Sequence, residues 1–154
     1  MEPPSTGNVT VLNQSTRRVR ITQIRQAAEI ALARHGHSGD TVCLLLTNDE
    51  HIRGLNKQFR SLDEATDVLT FPSAEGGDIA ISVEYAERQA ALRRVSLSQE
   101  LGYLAIHGAL HLAGFDDEED SDREEMVREM NLVAREAGLK PDEDWWSILH
   151  GEAA

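Results

Sequence analysis

In residues 101–113 the chain reads LGYLAIHGALHLA, a run without a single formally charged side chain. Ser96-x-x-Gln99 just before this run fits a capping box, and Gly114 just after it is a typical helix stop. A helix that is apolar on every side is buried inside its domain. The run therefore predicts a buried central helix whose histidines need polar partners.

Strands and helices are predicted on both sides of this central helix. Strands are expected at residues 8–12, 41–47, 67–71 and 78–82, and further helices at residues 16–35, 49–59, 83–94 and 119–137. The last two strands follow each other directly, separated by Pro72 and by Gly76-Gly77. This order predicts an α+β fold, a mixed four-stranded sheet covered by helices, with the buried central helix among them.

The apolar positions predict which faces of these elements are buried. The run TVCLLLT at residues 41–47 predicts a strand covered on both faces, in which Cys43 is a buried and inert thiol. The helix at residues 49–59 is expected to be buried through Ile52, Leu55 and Phe59. The helix at residues 119–137 is expected to be buried through Met126, Met130 and Val133.

The length of 154 residues suits a single domain with one core. Residues 1–7 and about 140–154 are expected to be peripheral, although adjacent Trp145 and Trp146 favour packing of the tail back on the domain. The sequence shows neither a membrane span of about 18 apolar residues nor a secretory signal at its first residues. A single cysteine forms no internal disulfide, which fits a reducing compartment. We therefore expect a cytoplasmic protein without a membrane partner.

The charge balance limits how nucleic acid could bind. A formal net charge of −12 argues against nonspecific attraction to a polyanion. Residues 1–60, however, carry eight Lys or Arg against five Asp or Glu, and the rest of the chain carries seven against twenty-two. A locally basic surface on an acidic protein therefore remains open.

Two histidines of the central helix have the spacing of metal ligands. His107 and His111 lie four residues apart, so both imidazoles project from one face of the helix. Gly114 then turns the chain, and Asp116 and Asp117 follow as candidate third ligands. Two histidines and one carboxylate are an accepted zinc set, and three protein ligands leave a position for water, as in catalytic sites. The pattern favours hydrolysis assisted by one zinc ion per chain.

A plainer interpretation stays open at this point. Two core histidines can be satisfied by backbone hydrogen bonds, and the acidic run DDEED at residues 116–120 can be the solvated start of a helix. Both interpretations can hold together, because one carboxylate can bind a metal while the others face water. The remaining histidines, His35, His37, His51 and His150, are weak metal candidates.

Three blocks of the chain resemble one known family. HGALHLAGFDD at residues 107–117 resembles the signature H-G-x-L-H-L-x-G-Y/F-D-H of the YbeY family of bacterial metal-dependent endoribonucleases. LNKQFRSLDEATDVLTFP at residues 55–72 resembles that family's segment with Leu-Asn, an Arg and T-D-V-L-S-F-P, and GDIAIS at residues 77–82 matches G-D-I-x-I-S. The order and spacing of the blocks agree from about residue 40 to residue 138.

The resemblance implies that the metal ligands are His107, His111 and the residue at position 117. The family usually has His at this third position, where the present chain has Asp117. An aspartate can bind zinc, but its negative charge should make the metal a weaker Lewis acid. Asp116 is the alternative, either as the ligand or as a residue that orients an imidazole, and Asp120 is a further candidate ligand.

The resemblance also implies the reaction and the partners. It implies a zinc-dependent endoribonuclease specific for single strands, acting in 3′-end maturation of small-subunit (16S) ribosomal RNA and in ribosome quality control. Arg60 matches the basic residue of the family's segment and is the expected catalytic residue, because its guanidinium suits a phosphate. Lys57 and Arg53 on the same helix are expected to extend a basic patch. The implied partners are ribosomal RNA and the small ribosomal subunit, with ribosomal proteins or GTPases as further candidates.

Two other functions remain as alternatives. The spacing of His107, His111 and Gly114 also occurs in metalloproteases, but those enzymes need Glu directly after the first histidine, where this chain has Gly108. The second alternative is a non-enzymatic ribosome-biogenesis factor with a structural metal. It predicts binding of ribosomal RNA that survives metal removal, and no cleavage.

Overall fold

The uncharged run lies in a long helix whose residues 100–110 are all buried. The computed structural model describes residues 8–146, whose elements are β1 (Asn8–Asn13), α1 (Ile21–Arg34), β2 (Thr41–Thr47), α2 (Asp49–Arg60), β3 (Val68–Ser73), β4 (Gly76–Ser82), α3 (Val83–Arg93), α4 (Leu97–Leu112) and α5 (Asp120–Glu136). The strands form one sheet in the order β1-β2-β4-β3, in which β3 is antiparallel to β4 and the other pairs are parallel. The predicted α+β fold with a mixed four-stranded sheet is therefore confirmed.

The helix α4 begins as predicted, but only half of the capping box forms. Ser96 Oγ accepts a hydrogen bond from Gln99 N at 3.1 Å, which satisfies one N–H at the helix start. The Gln99 side chain binds the backbone of Lys140 instead of Ser96, accepting from Lys140 N at 3.1 Å and donating to Lys140 O at 2.6 Å. Gln99 thereby ties the start of the C-terminal segment to α4.

The two faces of the sheet are covered by different helices. Ile79 and Ile81 of β4 belong to the main core, which they share with α1 and α4. Ala80, between them, faces the other side of the sheet and packs against Ile52 of α2. Among residues 8–146, no helix has the length and the apolar character that crossing a membrane requires.

The prediction that β2 is covered on both faces is wrong. Its second face carries Cys43 and Leu45, which are only half-buried, and the neighbouring Leu12 of β1 is 46% exposed. The reason is that α2 packs on the half of this face formed by β3 and β4. Cys43 is accordingly half-buried, and not the buried thiol expected from the sequence.

The first predicted turn of α1 is a polar turn instead, so the helix begins at Ile21 and not at residue 16. Asn13 Oδ1 accepts hydrogen bonds from the N and the Oγ of Ser15, and Asn13 Nδ2 donates to Arg17 O. Such side-chain bonds satisfy the backbone locally and compete with helix formation.

The strands β3 and β4 continue through the residues that were expected to separate them. β3 extends through Pro72, and β4 begins at Gly76. Pro72 is tolerated because β3 is an edge strand. Gly77 has a φ of +144°, and a Cβ there would collide with the carbonyl oxygen of Phe71. Only glycine fits this close approach of the two strands.

The helix α2 buries a narrower face than predicted. Its buried residues are Ile52 and Asn56, and Asn56 Nδ2 donates to Glu64 O at 3.0 Å. Phe59 is 59% exposed, which corrects the prediction that it is buried. It lies in the last turn of α2, where its ring meets the Phe71 ring edge-on at 5.2 Å. The predicted buried stripe of α5 is confirmed at Met126, Met130 and Val133.

Gly108 allows α4 to pack closely on the sheet, which predicts a cost for adding one methyl group. A Cβ at position 108 would lie 2.9 Å from Ile79 Cγ2, closer than van der Waals contact allows. Gly108→Ala is expected to lower the free energy of unfolding by about 1–3 kcal/mol. Gly54→Ala in α2 is the control, because a Cβ there meets open space, and it should raise this free energy by about 0.5–1 kcal/mol. Urea denaturation measures both, and a Gly108→Ala variant as stable as Gly54→Ala would contradict the close packing.

Candidate metal centre

Three side chains from the end of α4 and the following loop converge. His111 Nε2 lies 3.1 Å from His107 Nε2 and 3.2 Å from Asp117 Oδ2, and His107 Nε2 lies 3.7 Å from Asp117 Oδ2. In the part of the chain that the structure describes, these residues form the one group of three metal-ligand donors that could share an ion. The structure thus brings together the three residues named from the sequence.

The turn after α4 carries Asp117 back towards the histidines. Gly114 has a φ of +103°, and Gly114 N donates to His111 O at 3.1 Å. Phe115 N donates to Leu110 O at 2.9 Å. Together these bonds make the Schellman pattern, in which a residue with positive φ folds the chain back at a helix end. Gly114 is therefore the helix stop that the sequence predicts.

The same turn sets the proton position on His111. Its Nδ1 lies 3.0 Å from Phe115 O, and a carbonyl oxygen can only accept a hydrogen bond. Neutral His111 therefore carries its proton on Nδ1 and keeps a lone pair on Nε2. That lone pair is on the side of His107 and Asp117, where a metal would need it.

The three donor atoms fit a small divalent ion. Ligands in a tetrahedron at about 2.0–2.1 Å from zinc lie about 3.4 Å from one another. The observed separations of 3.1, 3.2 and 3.7 Å fall on either side of this value. Two imidazoles and a carboxylate are also donor types that zinc accepts. The group could therefore bind a metal ion, and among residues 8–146 no fourth His, Cys, Asp or Glu side chain joins it.

The alternative carboxylates have other partners. Asp116 Oδ1 accepts from Asp117 N at 2.7 Å and from Glu118 N at 3.2 Å, so Asp116 shapes the loop. The Phe115 carbonyl, rather than Asp116, orients the imidazole of His111. Asp120 has a side chain that is 93% exposed and lies 3.5 Å from Arg123. Asp117 is the carboxylate that the geometry brings to the histidines.

The surroundings of Asp117 favour its ionised form. When His111 also carries a proton on Nε2, its hydrogen bond lowers the pKa of the Asp117 carboxyl group, and the charges of His111, His107 and Arg123 act in the same direction, although burial opposes them. Arg123 Nε also donates to Asp117 O at 3.1 Å. An ionised carboxylate is the form that binds a metal.

Two tryptophans contact the histidine that lies deeper in the core. The ring centroids of Trp145 and Trp146 lie 5.4 Å and 5.3 Å from that of His107. Trp145 is 2% exposed and stacks on Tyr103, while Trp146 is only half-buried. The predicted packing of the tail on the domain is thus observed at Trp145, in a segment expected to be peripheral. Residues 147–154 lie outside the described part of the chain.

A buried carboxyl group anchors Trp145. Glu100 is 1% exposed, accepts from Trp145 Nε1 at 3.1 Å and pairs with Arg93 at 3.1 Å. Its other oxygen accepts from Gln89 Nε2 at 2.9 Å. Burial raises the pKa of Glu100 to about 7, although the Arg93 charge and the Trp145 hydrogen bond lower it. Glu100 therefore changes its charge near neutral pH.

The raised pKa of Glu100 predicts that stability falls as the pH rises. Between about pH 4.5 and 7 the folded chain keeps a proton that the unfolded chain has released, so the free energy of unfolding decreases by up to about 3 kcal/mol. Glu100→Gln cannot titrate and should flatten this dependence in urea denaturation at several pH values. Glu50→Gln, which changes an exposed carboxylate, should retain it. An unchanged pH dependence in Glu100→Gln would contradict the assignment.

Arg60, the expected catalytic residue, lies outside the three-donor group. It is exposed at the C-terminal end of α2, on the opposite face of the sheet from α4. Among the described residues its guanidinium makes no hydrogen bond or ion pair. Arg53, by contrast, pairs with Asp63 at 2.7 Å. The basic patch expected on this helix is therefore reduced to Lys57 and Arg60.

The weaker histidine candidates also lie apart from the group. His35 and His37 each pair with one nearby carboxylate, at 2.9 and 2.8 Å. His51 is exposed in α2, and none of these three joins a group of three donors within residues 8–146. His150 lies outside the described residues.

Sequence reasoning missed several residues around the centre. Glu100 precedes His107 by seven residues and therefore lies on the same face of α4, a spacing that could have drawn attention to it. Arg123 and the Phe115 carbonyl reach Asp117 and His111 through the fold of the loop, and no residue pattern signals such contacts.

The fold and the three-donor group define the class, a small α+β protein with a candidate metal centre at the end of a buried helix. The sequence model of Endoribonuclease YbeY matches residues 9–138. Endoribonuclease YbeY of Aquifex aeolicus is 38% identical over 130 residues, which cover 80% of this chain and 87% of that protein. Endoribonuclease YbeY of a Synechococcus species is 45% identical over 124 residues, which cover 71% of this chain and 73% of that protein. A solution structure of a Thermotoga maritima protein matches with a TM-score of 0.65 and 28% identity, over 84% of this chain and 88% of that one. The chain belongs to the endoribonuclease YbeY family, as its motifs indicate.

Proposed function

We propose that this member of the family is a zinc-dependent endoribonuclease that hydrolyses phosphodiester bonds of single-stranded RNA. The observation that carries the proposal is the group of His107, His111 and Asp117, whose spacing suits one zinc ion per chain. The relatives' name supports the reaction class. A centre with three protein donors has a position left for water or substrate, as catalytic zinc sites do.

The chain's own residues set the conditions for hydrolysis at this centre. When bound there, zinc lowers the pKa of water and polarises a phosphoryl oxygen. The Phe115 carbonyl holds the His111 ring with Nε2 towards the centre. Trp145 packs against the His107 ring and helps to hold it in the core. Asp117 adds a negative charge that a third imidazole would not, which weakens the Lewis acidity of the metal.

Arg60 is the proposed phosphate-binding residue, and its position supports this role. Phe59, in the last turn of α2, contacts Phe71 of β3. The carbonyl oxygen of Phe71 lies against Gly77 of the neighbouring strand β4. A Cβ on Gly77 would in turn lie 3.1 Å from Leu112 Cδ2, in the last turn of α4. The ends of α2 and α4 therefore lie at the same end of the β3–β4 pair, and we propose that one RNA strand spans this end between Arg60 and the three-donor group.

The structure disfavours the two alternative functions on different grounds. A metalloprotease needs Glu at position 108, where Gly108 packs so closely on Ile79 that even a methyl group is crowded. A purely structural zinc is usually closed by four protein ligands, and the described residues bring three together.

The proposed biological substrate is small-subunit (16S) ribosomal RNA, cut during 3′-end maturation and ribosome quality control in the cytoplasm. The partners would be the small ribosomal subunit, with ribosomal proteins or GTPases. The support for this is the resemblance over the family's motifs. A net charge of −12 requires local contacts such as those of Arg60 and Lys57, because bulk charge repels RNA.

The experiment that tests this proposal compares three substrates, single-stranded RNA that includes a 16S 3′-end fragment, duplex RNA, and an unstructured protein. Each is incubated with the zinc-loaded protein and with the protein after chelation. We expect cleavage of the single strand alone, and only with metal. RNA binding that survives chelation, without cleavage in either state, would favour the binding factor. Cleavage of the protein substrate would favour the protease.

The aspartate in the third position predicts how zinc affinity responds to substitution. Asp117→His should tighten zinc binding, because it restores three imidazoles and removes one charge from the acidic loop. Asp117→Ala should weaken it by about 10-fold or more. Asp116→Ala is the matched control, since it removes loop hydrogen bonds and should weaken zinc binding less. Competition with a chromophoric chelator measures all three, and loss of zinc in Asp116→Ala alone would identify Asp116 as the ligand.

A further inference from the structure

Trp146 differs from its neighbour Trp145, although both contact His107. Trp145 is 2% exposed, and its indole N–H donates to Glu100. Trp146 is half-buried, and its indole N–H donates to no partner among residues 8–146. Its ring stands at 80° to the imidazole of His107, with 5.3 Å between the centroids. One tryptophan is thus part of the core, and the other is a partly exposed aromatic side chain beside the candidate metal centre.

Arg123 connects the Trp146 indole to the loop that carries the third donor. Its Nε donates to Asp117 O at 3.1 Å, and its Cζ lies 5.8 Å from the Trp146 ring centroid, within the range of a cation–π contact. Its ion pair with Asp120 is long, at 3.5 Å, and the Asp120 side chain is 93% exposed. Trp146 therefore packs against the rings of His107 and Trp145 and against the Arg123 guanidinium.

The charge of the loop indicates which kind of contact RNA can make here. Residues 116–120 are all Asp or Glu, and their carboxylates repel the phosphates of a nucleic acid. Stacking of a base on an aromatic ring is free of this repulsion and works for every base, because each has a π face. Single-stranded RNA offers such unpaired bases, and a duplex does not.

We propose that Trp146 is a stacking platform for one base of single-stranded RNA beside the candidate metal centre, held in place by Arg123. The inference rests on the proposed function, since it describes how the same site holds its substrate. Trp146 binds the substrate and takes no part in the chemical step. Because stacking tolerates any base, the site has little sequence preference at this nucleotide.

The first test measures the affinity of the zinc-loaded protein for a short single-stranded oligoadenylate. Trp146→Ala should weaken binding about 10-fold, and Trp146→Phe should retain most of the affinity, because a phenyl ring still stacks. Leu92→Ala, which truncates an exposed apolar residue on α3, is the control and should bind as the unmodified protein does. In cleavage assays Trp146→Ala should raise KM by a similar factor and leave kcat nearly unchanged.

The second test identifies the stacked base itself. The chain has two tryptophans, and Trp145 is buried, so quenching of the intrinsic fluorescence by oligoadenylate should disappear in Trp146→Phe. A series of oligonucleotides is then compared, in which each member lacks the base at one position. For one of these positions, removal of the base should lower the affinity of the unmodified protein about 10-fold and leave the affinity of Trp146→Ala unchanged.

The outcomes separate this inference from the proposed function. Cleavage of RNA by the unmodified protein without fluorescence quenching, or with equal affinity of Trp146→Ala, overturns the stacking platform alone. If the protein cleaves no RNA but shows the quenching, and one abasic position lowers its affinity but not that of Trp146→Ala, the stacking platform is upheld and the proposed function is overturned. An abasic penalty that persists in Trp146→Ala assigns the stacked base to another residue and overturns the inference.

Discussion

Replacing His107 or His111 by alanine is expected to abolish stoichiometric zinc binding. Each substitution removes one of three donors that lie within 4.8 Å of one another. Loss of residues that merely support a metal ligand already weakens binding about 10–100-fold, so loss of a donor should cost more. Elemental analysis of protein purified without added metal measures the effect, and the unmodified protein should contain one zinc per chain.

The control for this prediction is His37→Ala. His37 pairs with Asp40 away from the three-donor group, so the variant should keep one zinc per chain. Because His107 is buried against Trp145, His107→Gln is measured as well, to keep most of the volume of the side chain. Circular dichroism establishes that each variant is folded. Zinc retained in the double variant of His107 and His111 would place the metal elsewhere.

Arg60→Ala is expected to lower single-turnover cleavage of a 16S 3′-end fragment by about 100-fold, and to lower the affinity for the same fragment by less than about 10-fold. The reason is that negative charge develops on the phosphate in the transition state, so a guanidinium near it contributes more to turnover than to binding. Arg60→Lys should rescue poorly, because an ammonium cannot reproduce the two parallel hydrogen bonds of a guanidinium.

Lys57→Ala is the matched control for Arg60. Lys57 is an exposed cation on the same helix, about one turn earlier, and should affect binding and cleavage alike. The zinc content should stay unchanged in both variants, since neither residue belongs to the three-donor group. Equal losses of affinity and turnover in Arg60→Ala would mean that Arg60 only anchors the substrate.

The local features of the fold could be predicted from the sequence. The bounds of β2 at Thr41–Thr47 agree with the apolar run, and Ser96 caps α4 as its position indicates. His107 and His111 could be paired from their spacing alone, because a helix places positions four apart on one face. These features depend on neighbours in the sequence, and such neighbours are visible without a structure.

Features that depend on distant parts of the chain could not be predicted. Phe59 fits an apolar helical stripe, but its ring meets the Phe71 ring edge-on and remains 59% exposed. Glu100 is buried because Trp145, 45 residues later, returns to it. The contact of tryptophan rings with His107 follows from this return of the chain, and neither hydrophobic periodicity nor motif spacing predicts it.

The most direct test of the metal-dependent ribonuclease is a titration of the metal-free protein with zinc, followed by single-turnover cleavage of single-stranded RNA. The cleavage rate should rise from zero, in proportion to the zinc added, and reach its maximum at one zinc per chain. The same titration of His111→Ala should give no cleavage at that ratio. Full activity of the metal-free protein, or a rate that His111→Ala reproduces, would contradict the assignment of the centre.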